Sequence, residues 1–287
     1  MKPRVSVAEL PADDRTASTL LAPAPAAAAA SVPIGKSVKT LRRPALPTTL
    51  VLGAGGGAGV TTLALGLAAA AATRPGGGAD AVAVDATAWG GDLGRRGSDV
   101  QVSVSNVQTW LTMPGAERIS AIIACTGRSS TGVRILSRTP DPLPRGHSML
   151  SVRRNLETAG LLPVFDGGGS VANRGVASLI DDPRIGLVIV AAARADSLNA
   201  LNDSLVWLTD RYGEYLISNA VIAVTYQLPG GFGAGAVEHV RTHLSKWVRA
   251  VVDIPYDRHL ATRAPLAWGQ LTEPTRLAFR AVLGGIQ

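Results

Sequence analysis

From Pro47 onward, short β-branched and apolar runs alternate with longer stretches of helical periodicity. The runs that read as strands are TTLVLG (48–53), AVAVDA (81–86), GVRILS (132–137), LLPVFD (161–166), GLVIVAA (186–192), NAVIAVT (219–225) and RAVVDIP (249–255). Polar residues seldom interrupt them, which suits strands covered on both faces. Helical patterns fall between them near 60–73, 148–159, 196–210, 236–247 and 273–284. Strand–helix alternation repeated this often predicts an α/β fold: a doubly wound, mostly parallel sheet with helices on both faces.

Residues 1–46 show no such periodicity. Pro, Ala and Ser alternate with scattered charge, ending in KSVKTLRR (36–43), and predict a disordered basic tail ahead of a domain spanning 47–287. The tail reads as a solvated linker, with contact to anionic lipid, nucleic acid or an acidic partner as the alternative. The chain carries a formal net charge of +7, but residues 1–50 hold seven basic residues against three acidic ones, leaving 21 against 18 in the remainder. Charge therefore does not demand a DNA-binding face on the folded part. The bias to arginine, 24 against 4 lysines, reads as GC-rich coding rather than function.

No run approaches the roughly 18–20 apolar residues of a membrane helix, and no leucine-rich segment follows a basic start as in a secretory signal. Cys125 stands alone, which excludes an intrachain disulfide and a cysteine metal cage. A cytoplasmic location is expected, with any membrane association made through partners.

The candidate chemistry starts at VLGAGGGAGVTT (51–62). In a doubly wound sheet, ligands sit at the carboxyl ends of the strands. Gly55, Gly56, Gly57, Ala58 and Gly59 would let backbone N–H groups converge on an anion, and the helix opening after them adds a positive dipole end. Thr61, followed by Thr62, stands where a P-loop hydroxyl ligates Mg²⁺, whereas Val60 stands where such a loop carries lysine. Asp85 closes AVAVD and Asp166 closes LLPVFD. A carboxylate there, beside a phosphate loop, orients Mg²⁺ or water, although a lone strand-ending Asp is more often a turn former.

The segment GGGAGVTTLALGLA resembles the deviant Walker A loop of the MinD/ParA family, usually written KGGxGKTT. VAVDATAWGGDLG is similar to the family's second motif, and LLPVFDGGG stands at its Walker B position. LVIVAAARADSLNAL and IPYDRHLATRAPL resemble later family segments of a kind common to many α/β proteins, so the likeness spans nearly all of 48–287. The resemblance implies a Mg-ATP-dependent switch whose two subunits sandwich nucleotide, and which positions plasmids, chromosomes, division inhibitors, flagella or secretion machinery. Gly56, Gly57, Gly59, Thr61, Thr62, Asp85 and Asp166 match the family pattern, with Asp85 the catalytic carboxylate if the protein is active. The family's P-loop lysine falls on Val60, its cross-dimer lysine on Gly55, and its adenine-reading asparagine near Thr225 or Tyr226.

Each lost charge-assisted contact is worth about 1.5–3 kcal/mol. ATP and Mg²⁺ binding is therefore expected to be weakened, and hydrolysis more so. From residue 51 onward Lys246 is the sole lysine; Arg95, Arg96 and Arg153 are the arginines considered as substitutes, and no spacing singles one out.

Other candidates weigh less. His239 and His243 have a metal-binding spacing but no third ligand, and read as surface residues. On the same predicted helix, Arg241, Lys246 and Arg249 lie largely off the stripe of Val237, Val240, Leu244 and Trp247 or Val248; a solvated face is expected, with DNA contact the alternative. EPTRLAFRAVLGGI, with Leu277, Phe279, Val282 and Leu283, reads as a packed final helix rather than a lipid-binding one. ACTGRSSTG (124–132) and TPDPLPRGH (139–147) read as loops over the nucleotide face, and His147 has no partnered Ser or Cys for a triad.

The expected function is that of a pseudo-ATPase: a non-hydrolysing scaffold or regulator in a secretion, conjugation or positioning system, with protein partners and peripheral membrane contact. The Ala/Pro-rich extension is similar to those of actinobacterial members associated with specialised secretion or conjugation. Homodimers and heterodimers with an intact relative both fit. The alternatives are an active ATP-dependent partitioning or positioning ATPase, and a DNA-binding module using the tail and the basic helix.

Overall fold

The computed structural model describes residues 46–230 and 234–287, so the tail expectations for 1–45, the basic cluster included, lie outside the described residues. Eight strands form one sheet: β1 (Thr49–Gly53), β2 (Ala81–Asp85), β3 (Gly127–Arg128), β4 (Arg134–Leu136), β5 (Leu162–Asp166), β6 (Gly186–Ala192), β7 (Val221–Thr225) and β8 (Ala250–Ile254). Their order is β3-β4-β2-β5-β1-β6-β7-β8, and every pairing is parallel except β3 with β4. The expected doubly wound architecture is thus present, and each apolar run predicted as a strand contains one.

The helices are α1 (Val60–Ala72), α2 (Leu93–Gly97), α3 (Val107–Thr112), α4 (Gly115–Cys125), α5 (Met149–Thr158), α6 (Ala177–Ile180), α7 (Ala195–Tyr212), α8 (Glu214–Ser218), α9 (Ala234–Leu244), α10 (Arg258–Ala261) and α11 (Glu273–Gly285). Successive strand residues feed opposite faces, as the two-residue period of a strand requires. Leu50 and Leu52 join a core with Trp110 of α3, Val152 of α5, Leu201 of α7 and Val237 of α9. Val51 between them joins a second core with α1, Leu93 of α2 and Phe279 of α11. Uninterrupted apolar strands follow from that double cover.

Two sequence expectations resolve in detail. Helix α11 buries Phe279, Val282 and Leu283, so it is a core helix as expected, whereas Leu277 of the predicted apolar face is exposed. The apolar stripe of α9 continues into Val248, while Trp247 is exposed. A third expectation is corrected: 124–132 is not a loop over the carboxyl ends of the central strands. It supplies the end of α4 and the antiparallel edge strand β3, where the backbone N–H and hydroxyl of Ser130 donate to Asp99. Segment 139–147 follows β4, and its first residues, Thr139 and Pro140, stand close to Gly90 in the turn after β2.

Candidate functional site

Strand β1 lies between β5 and β6, and its carboxyl end opens into the glycine loop. Gly53 N–H donates to Gly168 O (2.9 Å) and Ala54 N–H to Val190 O (2.9 Å), which anchors the loop to the segment leaving β5 and to β6. Gly57 (φ 75°) and Gly59 (φ 96°) occupy the left-handed region, which glycine enters without steric cost. At Gly55 and Gly56, by contrast, a Cβ would meet open space, so nothing steric excludes a longer side chain there.

The loop's outward carbonyls are tied down from the end of β7. Thr225 Oγ1 donates to Ala58 O (2.8 Å) and Gln227 Nε2 to Gly57 O (2.6 Å). Thr225 therefore braces the loop, at the position where an adenine-reading side chain was sought. The N–H groups of Gly55, Gly56 and Gly57 have no hydrogen-bond partner among the described residues. Together with the first-turn N–H groups of α1, they form a concentration of unsatisfied donors at the positive end of a 13-residue helix.

Val60, at the first position of α1, is 6% exposed and belongs to the core between α1 and the sheet. It also forms part of the cleft wall. Thr61 follows, and its Oγ1 donates to Asp166 Oδ2 (2.6 Å). The other oxygen of Asp166 accepts from Gly168 N–H (3.0 Å).

Asp85 and Asp166 stand opposite one another in register on β2 and β5, both fully buried. Burial pushes the Asp166 carboxyl up to about 6 against the hydrogen bond from Thr61, and the neighbouring Asp85 charge adds to the rise. Burial also raises Asp85, against hydrogen bonds from Thr87 and Gly91 and the charge of Arg138. Asp85 accepts from the Thr87 hydroxyl (2.6 Å), Thr87 N–H (3.0 Å) and Gly91 N–H (2.7 Å), so its oxygens hold the turn after β2. Asp166 keeps fewer partners and lies directly behind Thr61. Neither carboxylate forms the cleft wall; Thr61, Thr87 and Asp92 do, in front of them.

The cleft measures about 700 Å³ and runs from the glycine loop across the ends of β6–β8 to Tyr226, Pro255 and Tyr256. Among the three arginines weighed from sequence, one reaches it. Arg96 of α2 lines the cleft, and its Nη2 donates to Thr62 Oγ1 (3.0 Å). Arg153 is buried elsewhere, paired with Glu157 (2.7 Å) and Asp182 (2.8 Å), and Arg95 is exposed outside the cleft. Sequence reasoning missed Asp92, Arg194 and Arg263 as cleft residues, and Asn173, whose amide donates to Ala86 O (3.0 Å) and Gly167 O (2.9 Å) to join the exits of β2 and β5. No spacing marks them, because each reaches the site from a different crossover.

The remaining candidates stay apart from this site. His239 and His243 stack at 5.7 Å, and among the described residues no group of three His, Cys, Asp or Glu is placed to hold a metal. Arg241 pairs with Asp253 and Glu238, so it is not a free cation on the α9 surface. Among the described residues no helix is long and apolar enough to cross a membrane.

No protein-family model matches the chain, and no curated protein matches it. Solved structures do. The ParA-family ATPase of Chlorobium tepidum is 17% identical, with a TM-score of 0.54 over 83% of this chain and 92% of that one. A Cyanothece McdA variant in complex with ATP is 15% identical, with a TM-score of 0.54 over 84% and 97%. The septum site-determining protein MinD of Pyrococcus horikoshii, complexed with Mg-ADP, is 14% identical, with a TM-score of 0.51 over 83% and 96%. At these identities the likeness establishes the fold, which is that of the ParA/MinD ATPases.

Proposed function

We propose that this chain is a ParA/MinD-like protein that binds Mg-ATP or Mg-ADP weakly, turns it over poorly, and acts as a nucleotide-responsive scaffold or regulator for protein partners. One observation carries this reading: the loop keeps its unsatisfied N–H groups and the Thr61–Asp166 pair, while the lysine position is filled by Val60, buried in the core. The residues fit a Mg-nucleotide in kind. Gly55 to Gly59 present donors for a phosphate; Thr61 would hold Mg²⁺ through its hydroxyl, with the carboxylates of Asp166 and Asp85 behind it to complement the metal's charge. Mg²⁺, when bound, supplies charge neutralisation to the phosphates.

What the chain lacks is the ammonium that stabilises charge on the transferring phosphoryl group, and that deficit falls on turnover more than on binding. Asp85 spends three of its carboxylate's roughly four acceptor sites on turn-holding hydrogen bonds, which leaves little capacity to act on water. The open space at Gly55 leaves two copies without the cross-subunit lysine of the resembling family, so a homodimer here would rest on protein contacts, and a heterodimer with an intact relative would borrow the missing charge. The DNA-binding alternative is less supported, since Arg241 is paired.

The test is calorimetric binding of ATP and ADP with Mg²⁺, alongside phosphate release, for the wild type and Val60→Lys. Binding with negligible release, and faster release in Val60→Lys, is the expected result. Sustained wild-type hydrolysis abolished by Asp85→Asn would overturn the pseudo-ATPase reading, and absence of nucleotide binding would overturn the whole proposal.

A further inference from the structure

The cleft holds a cation whose own interactions are incomplete. Arg96 projects from α2 onto the first turn of α1, and its Nη2 uses one of five N–H donors on Thr62. Its Nε is buried and has no hydrogen-bond partner, and among the described residues no carboxylate lies within ion-pair distance of the guanidinium. A half-buried guanidinium in that state is costly unless something anionic completes it. The bare N–H groups of the loop and of the first turn of α1 face the same cleft; the carboxylates of Asp92 and Asp257 also line it, and neither stands within ion-pair distance of Arg96. Donors converging from two elements on one space describe a site for a polyanion.

We infer that Arg96 supplies, from α2, the positive charge that the glycine loop lacks at Val60, and that it contacts the phosphate chain of the nucleotide. This rests on the nucleotide reading above and adds to it the residue that makes binding possible without lysine. The other cleft arginines are placed differently. Arg194 is turned toward Asp196 (3.3 Å) and Arg263 is exposed at the rim. Arg96 alone among them is bonded to the phosphate-loop helix. A planar guanidinium matches two phosphate oxygens at once, whereas an ammonium acts as a point charge.

The backbone carbonyl of Arg96 accepts from Leu266 N–H (2.7 Å), and that bond survives side-chain replacement, so variants should fold. The experiment measures binding of ATP, ADP and tripolyphosphate with Mg²⁺ to the full chain, comparing wild type with Arg96→Gln, Arg96→Lys and, outside the cleft, Arg95→Gln, each checked by its melting temperature. Arg96→Gln keeps a side-chain donor for Thr62 but removes the charge. It is expected to weaken all three ligands by about ten- to a hundred-fold, Arg96→Lys by less, and Arg95→Gln by less than about threefold. Adding Val60→Lys to Arg96→Gln should recover affinity, because the charge then comes from the loop itself; a merely structural role for Arg96 would give no such rescue. Wild-type binding with unchanged affinity in a folded Arg96→Gln overturns the assignment of Arg96 and leaves the nucleotide reading intact. Failure of the wild type to bind any of the three ligands overturns both.

Discussion

Val60 closes over Gly53: its Cγ2 stands 2.8 Å from where a Cβ on Gly53 would lie, and Gly169 Cα and Gly55 O stand at 3.0 Å from the same point. The valine at the lysine position is thus part of the packing that seats the loop on β1. Gly53→Ala should destabilise the protein by about 1–3 kcal/mol, because two of the three obstructing atoms are backbone and cannot rotate away. Val60→Ala should cost about 1–2 kcal/mol through lost methyl burial. Together the two changes should cost less than their sum, since each relieves the other's contact. Strictly additive costs in denaturant unfolding would show that the pair does not interact.

Helix α1 contains a second close approach. At Gly66 a Cβ would come within 2.5–2.6 Å of three ring atoms of Phe279, so α11 lies directly on α1 at this glycine. In a free helix, Gly→Ala stabilises by about 1 kcal/mol. Here the overlap dominates, and Gly66→Ala is expected to lower stability by about 1–3 kcal/mol. Phe279→Leu in the same background should recover part of the loss. A higher melting temperature in Gly66→Ala alone would refute this packing.

Legibility in the sequence followed burial. Strands covered on both faces appear as unbroken apolar runs, so β1, β2 and β5–β7 could be read directly, together with Asp85 and Asp166 at their ends; the half-buried edge strand β8 was legible from its β-branched run alone. Helix α4 was not read from the sequence; it buries only Ile122 and Cys125 and leaves Ile119 and Ile123 exposed. Edge strand β3, two residues long, has no pattern at all. In the site, the loop was legible because its backbone demands glycine at Gly57 and Gly59. Asp92 was not, and Arg96 could be named only as one of three candidate arginines, because their approach depends on how the chain returns after β2, and no local periodicity records that. Val60 was read as a missing lysine; its structural contribution became visible only with Gly53 beneath it.

Arg153 provides a contrast to Arg96. It is buried, and pairs with Asp182 and with Glu157, which also accepts from Thr48 Oγ1 (2.6 Å). Burial alone would raise Glu157, but the bonds from Thr48 and Arg153 hold it below the usual range. Arg153→Met should destabilise the fold by about 1–3 kcal/mol, less than a fully buried pair, because water reaches both carboxylates. Nucleotide affinity should not change at temperatures where the variant is folded. A selective loss of nucleotide binding with unaltered unfolding would assign Arg153 to the site instead.

The Asp166 carboxyl gives the fold a pH dependence with a definite sign. Its folded value, about 6, lies above the ordinary 3.8, so between about pH 4 and 6 the folded chain keeps a proton that the unfolded chain has lost. Stability contributed by that proton is full below pH 4 and declines as pH rises through 6; Asp85, also raised, acts in the same direction. Asp166→Asn removes the titration while leaving an oxygen to accept from Thr61, so its unfolding midpoint should fall less steeply over this window. Mg²⁺ favours the ionised carboxylate, so wild-type affinity for Mg-ADP should strengthen as pH rises from 5 to 7 by more than that of Asp166→Asn. The nucleotide's own phosphate titrates nearby, which makes the difference between the two proteins the informative quantity. Parallel pH profiles for wild type and variant, in both unfolding and binding, would show that Asp166 is neither perturbed nor coupled to the metal.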